Sequence, residues 1–443
     1  MSGMPLTQLL REPRLRMIFL LGICSGFPWV LIGSAMTGWL TDAGLSRTSI
    51  GLFGSIFFVY AINFLWAPVV DGFRLPVFRR LGDRKSWIVF LLLVMTLACW
   101  GISQISPQAS MVWLSMLAMT IALASATCDI AIDGFRVDSF DPEAEAELIP
   151  YAAAFATSGW WTGYSLLGAA AFYMKGLSSM AWADVFFYLA LFCLFITAMV
   201  AILVERDSRR REKLESRVAG LSLRAQLRFT LIEPFRALLS RYGSTIVLLL
   251  LSFLFTFKMG EAFLGRMSIT FYKEIGFTDA QIATYSKMVT WWVTIVFSLI
   301  GAYFNQKLGI FRGLLIGGLA MAGTNLLFAW IAVSGPLESL YLFAVIADGF
   351  TSAFATVVLV SFVTLLTDRV FSATQYALLA SIANFGRTTV SGASGYVVDY
   401  LNGDWATFFV LTTLMVLPSL VILWWLIRPV SYTHLTLPTI REV

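Results

Sequence analysis

SMVWLSMLAMTIALASATCDIAIDGFR, Ser110 to Arg136, carries no charge between Ser110 and Asp129 and then places Asp129, Asp133 and Arg136 in quick succession. An apolar stretch of this length matches the ~20 residues that a helix needs to cross a bilayer. The spacing of four puts Asp129 and Asp133 on one helical face, and Arg136, three further on, can lean back toward Asp133. Ionisable groups within a membrane segment cost several kcal/mol unless paired or wetted, so they tend to line a pathway. Two readings follow. Asp133 and Arg136 form an ion pair at a helix end, or the two carboxylates carry protons along a transport route.

The rest of the chain has the same character. Hydrophobic residues make up 58% of the 443 residues and charged residues only 13%, with a mean hydropathy of +0.80. A soluble domain is nearer half apolar and a quarter charged, so this is a polytopic membrane protein. The apolar pattern divides into twelve spans, at 16–40, 49–70, 87–105, 110–135, 148–172, 180–204, 244–270, 283–303, 314–333, 339–366, 376–398 and 405–427. The first lacks a small-residue cleavage site and reads as a retained helix. Cys24, Cys99, Cys128 and Cys193 all fall inside spans, which leaves no loop disulfide and no metal-ligand spacing.

Basic residues fix the orientation. Arg11, Arg14 and Arg16 precede span 1. Arg74, Arg79, Arg80, Arg84 and Lys85 lie between spans 2 and 3, a basic run from Arg206 to Arg241 joins spans 6 and 7, and Lys307 and Arg312 join spans 8 and 9. The opposite loops hold little beyond Arg47, Lys175 and Lys273. The positive-inside rule then places both termini in the cytoplasm. The net charge of +5 arises from these loops and calls for no nucleic-acid partner.

Six spans, a polar stretch, then six more imply two related helical bundles, at 1–204 and 244–430, joined by a cytoplasmic linker at 205–243. Within that linker, Leu221–Leu239 has apolar residues at helical spacing, and its basic side suits anionic headgroups. Internal symmetry supports duplication: Asp71 and the run Arg79–Lys85 after span 2 have a counterpart in Asn305–Arg312 after span 8. Spans 5 and 11 both open on a tyrosine, Tyr151 and Tyr376, and carry spaced glycines, Gly159, Gly163 and Gly168 against Gly386, Gly392 and Gly395. Such small residues let helices pack closely. Parallel six-helix repeats are the pattern of a major-facilitator transporter. The pattern breaks after Pro429, and 431–443 reads as a non-native tail that holds the only histidine, His434.

Several stretches together resemble the AmpG family of muropeptide permeases. They are Phe64-Leu65-Trp66-Ala67-Pro68-Val69-Val70-Asp71, Ser125-Ala126-Thr127-Cys128-Asp129-Ile130, Lys258-Met259-Gly260-Glu261-Ala262-Phe263, and Phe371-Ser372-Ala373-Thr374-Gln375-Tyr376-Ala377-Leu378-Leu379 running on to Gly386-Arg387. The likeness covers about residues 10 to 428. It implies an all-α major-facilitator fold, a bacterial inner-membrane location and proton-driven import of N-acetylglucosaminyl-1,6-anhydro-N-acetylmuramyl peptides. The implied partners are that glycopeptide, protons and the lipid bilayer, with a monomer expected and no cofactor. An anionic or peptide metabolite such as an acetyl-coenzyme A-like solute is the alternative cargo. The chain departs from the family in having Cys128 where glutamine commonly precedes the span-4 aspartate, and Asp71-Gly72 where Asp-Arg is common. Some members also carry two further C-terminal helices.

Other residues have a bland reading and a functional one. Lys258 and Glu261, three apart, share a face ~20–26 Å along span 7. They form a structural pair or a switchable one whose acid accepts the transported proton. Asp348 in span 10 sits where relatives also have an acid, with Arg387 or Lys287 as a partner. Arg387 either snorkels or clamps a substrate carboxylate through its planar guanidinium. Asp71, Arg79, Arg80 and Arg84 resemble the major-facilitator 2–3 loop signature, which controls access rather than binding cargo. Among the many aromatics, Trp29 and one of Trp160 and Trp161 are candidate platforms for a sugar ring, although most membrane tryptophans belong to belts or packing. Gly26-Phe27-Pro28 is expected to kink span 1 toward the cavity. No Ser-His-Asp set, metal cluster or phosphate loop is present in the sequence, which argues against an enzyme. A transport-dead sensor is disfavoured by the retained intramembrane charges.

Overall fold

The computed structural model describes residues 6–44, 53–73, 75, 81–107, 110–177, 180–204, 228–229, 231–278, 281–282 and 284–432. Among these, eight helical segments are long and apolar enough to cross a membrane: Pro13–Leu40, Asp83–Ser103, Met111–Asp138, Trp182–Leu203, Ser244–Ile275, Ile310–Ser334, Glu338–Leu366 and Trp405–Ile427. They coincide with spans 1, 3, 4, 6, 7, 9, 10 and 12. The other four spans are helical too, but assembled from pieces. Span 2 comprises Gly54–Phe58, Val59–Ile62, Asn63–Leu65 and Ala67–Gly72, and span 5 comprises Ile149–Trp161, Thr162–Leu166 and Leu167–Leu177. Span 8 is Thr284–Val289 with Thr290–Leu308, and span 11 is Ser372–Ser391 with Ser394–Tyr400.

The breaks have local causes. Pro28 has no N–H to offer the carbonyl one turn back, and the chain answers with a π-helical turn at Val30–Ser34 immediately after it. Span 7 breaks at Lys258, which separates Ser244–Phe257 from Met259–Ile275 with φ −106° and ψ 13°. The sequence pattern anticipates the first break and not the second. Span 4 begins where expected, with the Ser110 side chain accepting from Trp113 N.

Spans 1 and 5 pack backbone to backbone. A Cβ on Gly22 would come within 2.6 Å of the Ala156 carbonyl, and one on Gly159 or Gly163 would run into the span-1 backbone at Phe19 or Ile23. The second half repeats the device, with Gly386 of span 11 seated on the Phe255 carbonyl of span 7. Span 3 lies against spans 4 and 6, span 9 against spans 10 and 12, and span 8 against span 10. Across the halves, span 5 meets spans 8 and 10, and spans 2 and 4 meet span 11. Large apolar side chains such as Leu97, Trp113, Phe195, Trp330, Val333 and Trp424 stay exposed, far more apolar surface than a water-soluble monomer leaves uncovered.

Of the expected linker helix, Glu233–Tyr242 is described. It docks on the second half, Tyr242 donating to the Leu366 carbonyl and Gln375 Nε2 to the Pro234 carbonyl. The last helix runs Leu417–Tyr432, so helix continues past Pro429 into the first two residues of the expected tail. The remainder of that tail, with His434, lies outside the described residues.

Candidate functional site

The halves are tied together at the end that carries the 2–3, 4–5, 8–9 and 10–11 connections. Arg84, with no exposed surface, donates to Asp71 Oδ1 at 2.6 Å and to Ser372 Oγ at 2.9 Å, and it lies 3.5 Å from Asp138. Asp71 Oδ2 accepts from the Thr374 backbone N–H at 2.7 Å and from its hydroxyl at 2.5 Å. The carboxylate therefore caps the N-terminus of span 11, where the helix presents unpaired donors and positive potential. Lys85 is also buried and donates to the Val204 carbonyl at the end of span 6. Arg84 and Lys85 thus have specific buried partners in addition to their place in the basic 2–3 connection. Arg79 and Arg80 lie outside the described residues.

The acidic 4–5 loop joins the same seal. Arg369, from the second half, binds Asp141 at 3.0 Å and donates to the Phe140 carbonyl. Gln306 of span 8 accepts from Tyr151 at 3.1 Å and donates to Glu147. Arg14 reaches the loop through Glu145 at 2.8 Å and the Ser139 carbonyl at 2.9 Å. The Arg14 hydrogen bond holds the Glu145 carboxyl below the usual carboxylate range.

Above this lies a second tier. Arg136, 3% exposed, contacts Asp133 at 3.1 Å on its own helix. It also reaches across the halves, donating to Thr364 Oγ1 at 2.8 Å and lying 4.6 Å over the Tyr376 ring. The i,i+3 pair was legible in the sequence; the reach to span 10, 228 residues away, was not. Higher again, Asn63 donates to the Ala126 carbonyl and accepts from Ser381 Oγ at 2.8 Å, which joins spans 2, 4 and 11.

Asp129 accepts from Ser25 Oγ at 2.6 Å, so spans 1 and 4 meet at this carboxylate. In span 7, Lys258 and Glu261 form their pair at 2.7 Å. Span 10 supports both, Thr356 accepting from Lys258 and Ser352 donating to Glu261. Asp348 accepts from Thr324 at 3.1 Å rather than pairing with Arg387, and the Lys287 side chain lies outside the described residues. Arg387 is exposed and acts electrostatically on Glu261.

The aromatic candidates divide. Trp29 packs against Phe57 at 4.6 Å, Tyr60 at 4.9 Å and Trp160 at 5.8 Å. Trp161 touches Trp160 and Tyr164 and is not in this inner group. Trp29 Nε1 is a buried donor without a hydrogen-bond partner among the described residues. Phe57 and Tyr60 were not singled out in the sequence, although Tyr60 and Asn63 stand one turn apart in an otherwise apolar run. Depth orders these groups. Span 2 runs toward the sealed end and span 11 away from it, so Tyr60 lies ~4.5 Å and Arg387 ~9 Å beyond the Asn63–Ser381 bond on the unsealed side, at 1.5 Å per residue.

The sequence profile of the Major Facilitator Superfamily matches residues 18–347. The transporter AmpG 4 of Rickettsia felis is 32% identical over 428 residues, covering 97% of this chain and all of that relative. The chain belongs to the AmpG family of the major facilitator superfamily. The anhydromuropeptide permease of Escherichia coli K12 is 25% identical, over 96% of this chain and 82% of that protein. Among solved structures, the proton:xylose symporter XylE superposes with a TM-score of 0.68 at 12% identity, covering 93% of this chain and 94% of that one. FucP in its outward conformation gives 0.66 at 14%, covering 93% and 98%. At those identities the match establishes the fold. This AmpG-family protein is a multi-pass membrane transporter and not an enzyme.

Proposed function

We propose that this protein imports anhydromuropeptides, N-acetylglucosaminyl-1,6-anhydro-N-acetylmuramyl peptides, across the bacterial inner membrane in symport with protons. Both termini are cytoplasmic by the positive-inside rule, so the sealed end faces the cytoplasm and the binding region opens outward. Residues 1–204 and 244–430 act as the two rocking bundles and 205–243 as their linker, with 431–443 outside the transport unit.

One observation carries the reading: two chemically different surfaces lie beyond the same Asn63–Ser381 contact. The first half offers the aromatic group Trp29, Phe57, Tyr60 and Trp160. The second half offers the exposed Arg387 beside Glu261 and Lys258. A disaccharide-peptide has a ring face for the one and carboxylates for the other. Cargo that bridges both favours closure of the halves around it, as alternating access at a repeat interface requires. Glu261, Asp129, Asp133 and Asp348 are the proton-carrying candidates, and Asp71 with Arg84 is the gate.

Binding assays on the purified protein test this division of labour. Trp29→Ala is expected to weaken the free disaccharide and the peptide-bearing form alike. Arg387→Ala is expected to weaken only the peptide-bearing form, by ~10-fold or more, the loss of about one charge-assisted hydrogen bond. Equal losses for both ligands in both variants would remove the bridging model. Preference for an acetyl-coenzyme A-like anion over the muropeptide would shift the cargo to that class.

A further inference from the structure

We infer that Arg136 is the positioning residue that converts the charge on Asp133 into opening of the cytoplasmic seal. The inference rests on the proton-coupled reading above and adds to it the linkage and its direction. Arg136 is a buried guanidinium of the first half with three supports: Asp133 on its own helix, and Thr364 and the Tyr376 ring in the second half. Asp133 itself keeps 34% of its side chain exposed, so its charge is open to change while its partner is not.

Other charged and titratable groups near Asp133 are accounted for. On span 4, Asp129 lies one turn away and binds Ser25 of span 1. Span 11 presents Tyr376 and span 10 the neutral Thr364, while on span 2 Tyr60 lies toward Asp129 and Asp71 is held by Arg84. Arg84 of span 3 is engaged by Asp71 and Asp138. Arg136 is therefore the cation that answers Asp133.

The direction follows from desolvation. In the sealed state a guanidinium removed from water needs its counter-charge, whereas in the opened state water replaces Thr364 and Tyr376, hydrates the guanidinium and lessens its need for Asp133. Neutralising Asp133 therefore raises the free energy of the sealed state more than that of the opened state. A proton taken up from the outward side favours opening inward, the order of events that symport into the cell requires.

Spin labels on Glu143→Cys, in the 4–5 loop, and Ser240→Cys, on the helix docked to the second half, report opening of the full chain in nanodiscs without cargo. Both positions are exposed and the four native cysteines are buried. With native Asp133 and Arg136, lowering the pH from about 7.5 to about 5 is expected to raise the long-distance population roughly tenfold. Asp133→Asn should show the raised population at both pH values. Arg136→Gln should lose the pH response, and Arg136→Lys, which keeps the cation, should restore part of it. Thr364→Val serves as the milder variant should Arg136→Gln not fold, and it should reduce the response. A full pH response in folded Arg136→Gln or in Thr364→Val would overturn the inference alone. No pH response in the parent pair would overturn it together with the proton reading, whereas a different cargo would leave this result unchanged.

Discussion

Arg84 has no exposed surface and a full positive charge, and Asp71 is its close counter-ion. Removing one member of a buried pair leaves the other uncompensated, at about 3–5 kcal/mol. Arg84→Ala is therefore expected to lower the stability of the purified protein by that order in denaturation experiments. Arg387→Ala, exposed and without an ion pair among the described residues, should stay within ~0.5 kcal/mol. A large stability loss in the second variant would move Arg387 from cargo recognition to structure. What was readable at this scale was local. Lys258 with Glu261, and Asp133 with Arg136, follow from a spacing of three. Thr364 and Ser381 carry no signal of their own, because their importance arises from partners in the other half of the chain.

At the scale of elements, close backbone packing fixes spans 1 and 5. Gly159→Leu puts a side chain where the span-1 backbone already lies. Overpacking of this kind costs ~1–3 kcal/mol or more, since backbone cannot rotate away as a side chain does. Reduced yield of folded protein is expected, with Gly265→Leu, whose Cβ direction is open, as the benign control. Loss in both variants alike would argue against specific packing at Gly159.

The start of span 1, where Arg14 lies, offers a pH test. The Glu145 carboxyl is held down by Arg14, so this pair stabilises fully above the ordinary glutamate range of ~4.3 and is lost as pH falls through the lowered value. Proteolytic protection of the N-terminal segment should be flat from neutral pH to about 5 and decline only below about 4. A decline beginning near pH 6 would assign the docking to another group. Spans 1, 3, 4, 6, 7, 9, 10 and 12 were legible as continuous apolar runs, because hydrophobic length is a property of sequence alone. The breaks within spans 2, 5 and 8, and the one at Lys258, were not, because each falls inside an apolar run, although Pro68 stands two residues past the Trp66 break in span 2.

For the whole molecule, the tiers form a descending series: aromatic and cationic surfaces, the Asn63–Ser381 contact, Asp129, the Asp133–Arg136 pair, and the Asp71–Arg84 pair. The two-bundle architecture was visible in the sequence through its weak repeat and the even-numbered basic loops. The closed state of the basic end was not, since it depends on which pairs meet across the halves. Proton-coupled muropeptide import is the function proposed for this molecule. Its most direct measurement is uptake of labelled anhydromuropeptide into proteoliposomes, with and without an inward proton gradient. Uphill accumulation is expected only with the gradient, and it is expected to be abolished in Glu261→Gln or Asp129→Asn while gradient-free exchange persists. Equal uptake with the gradient present or collapsed would contradict it.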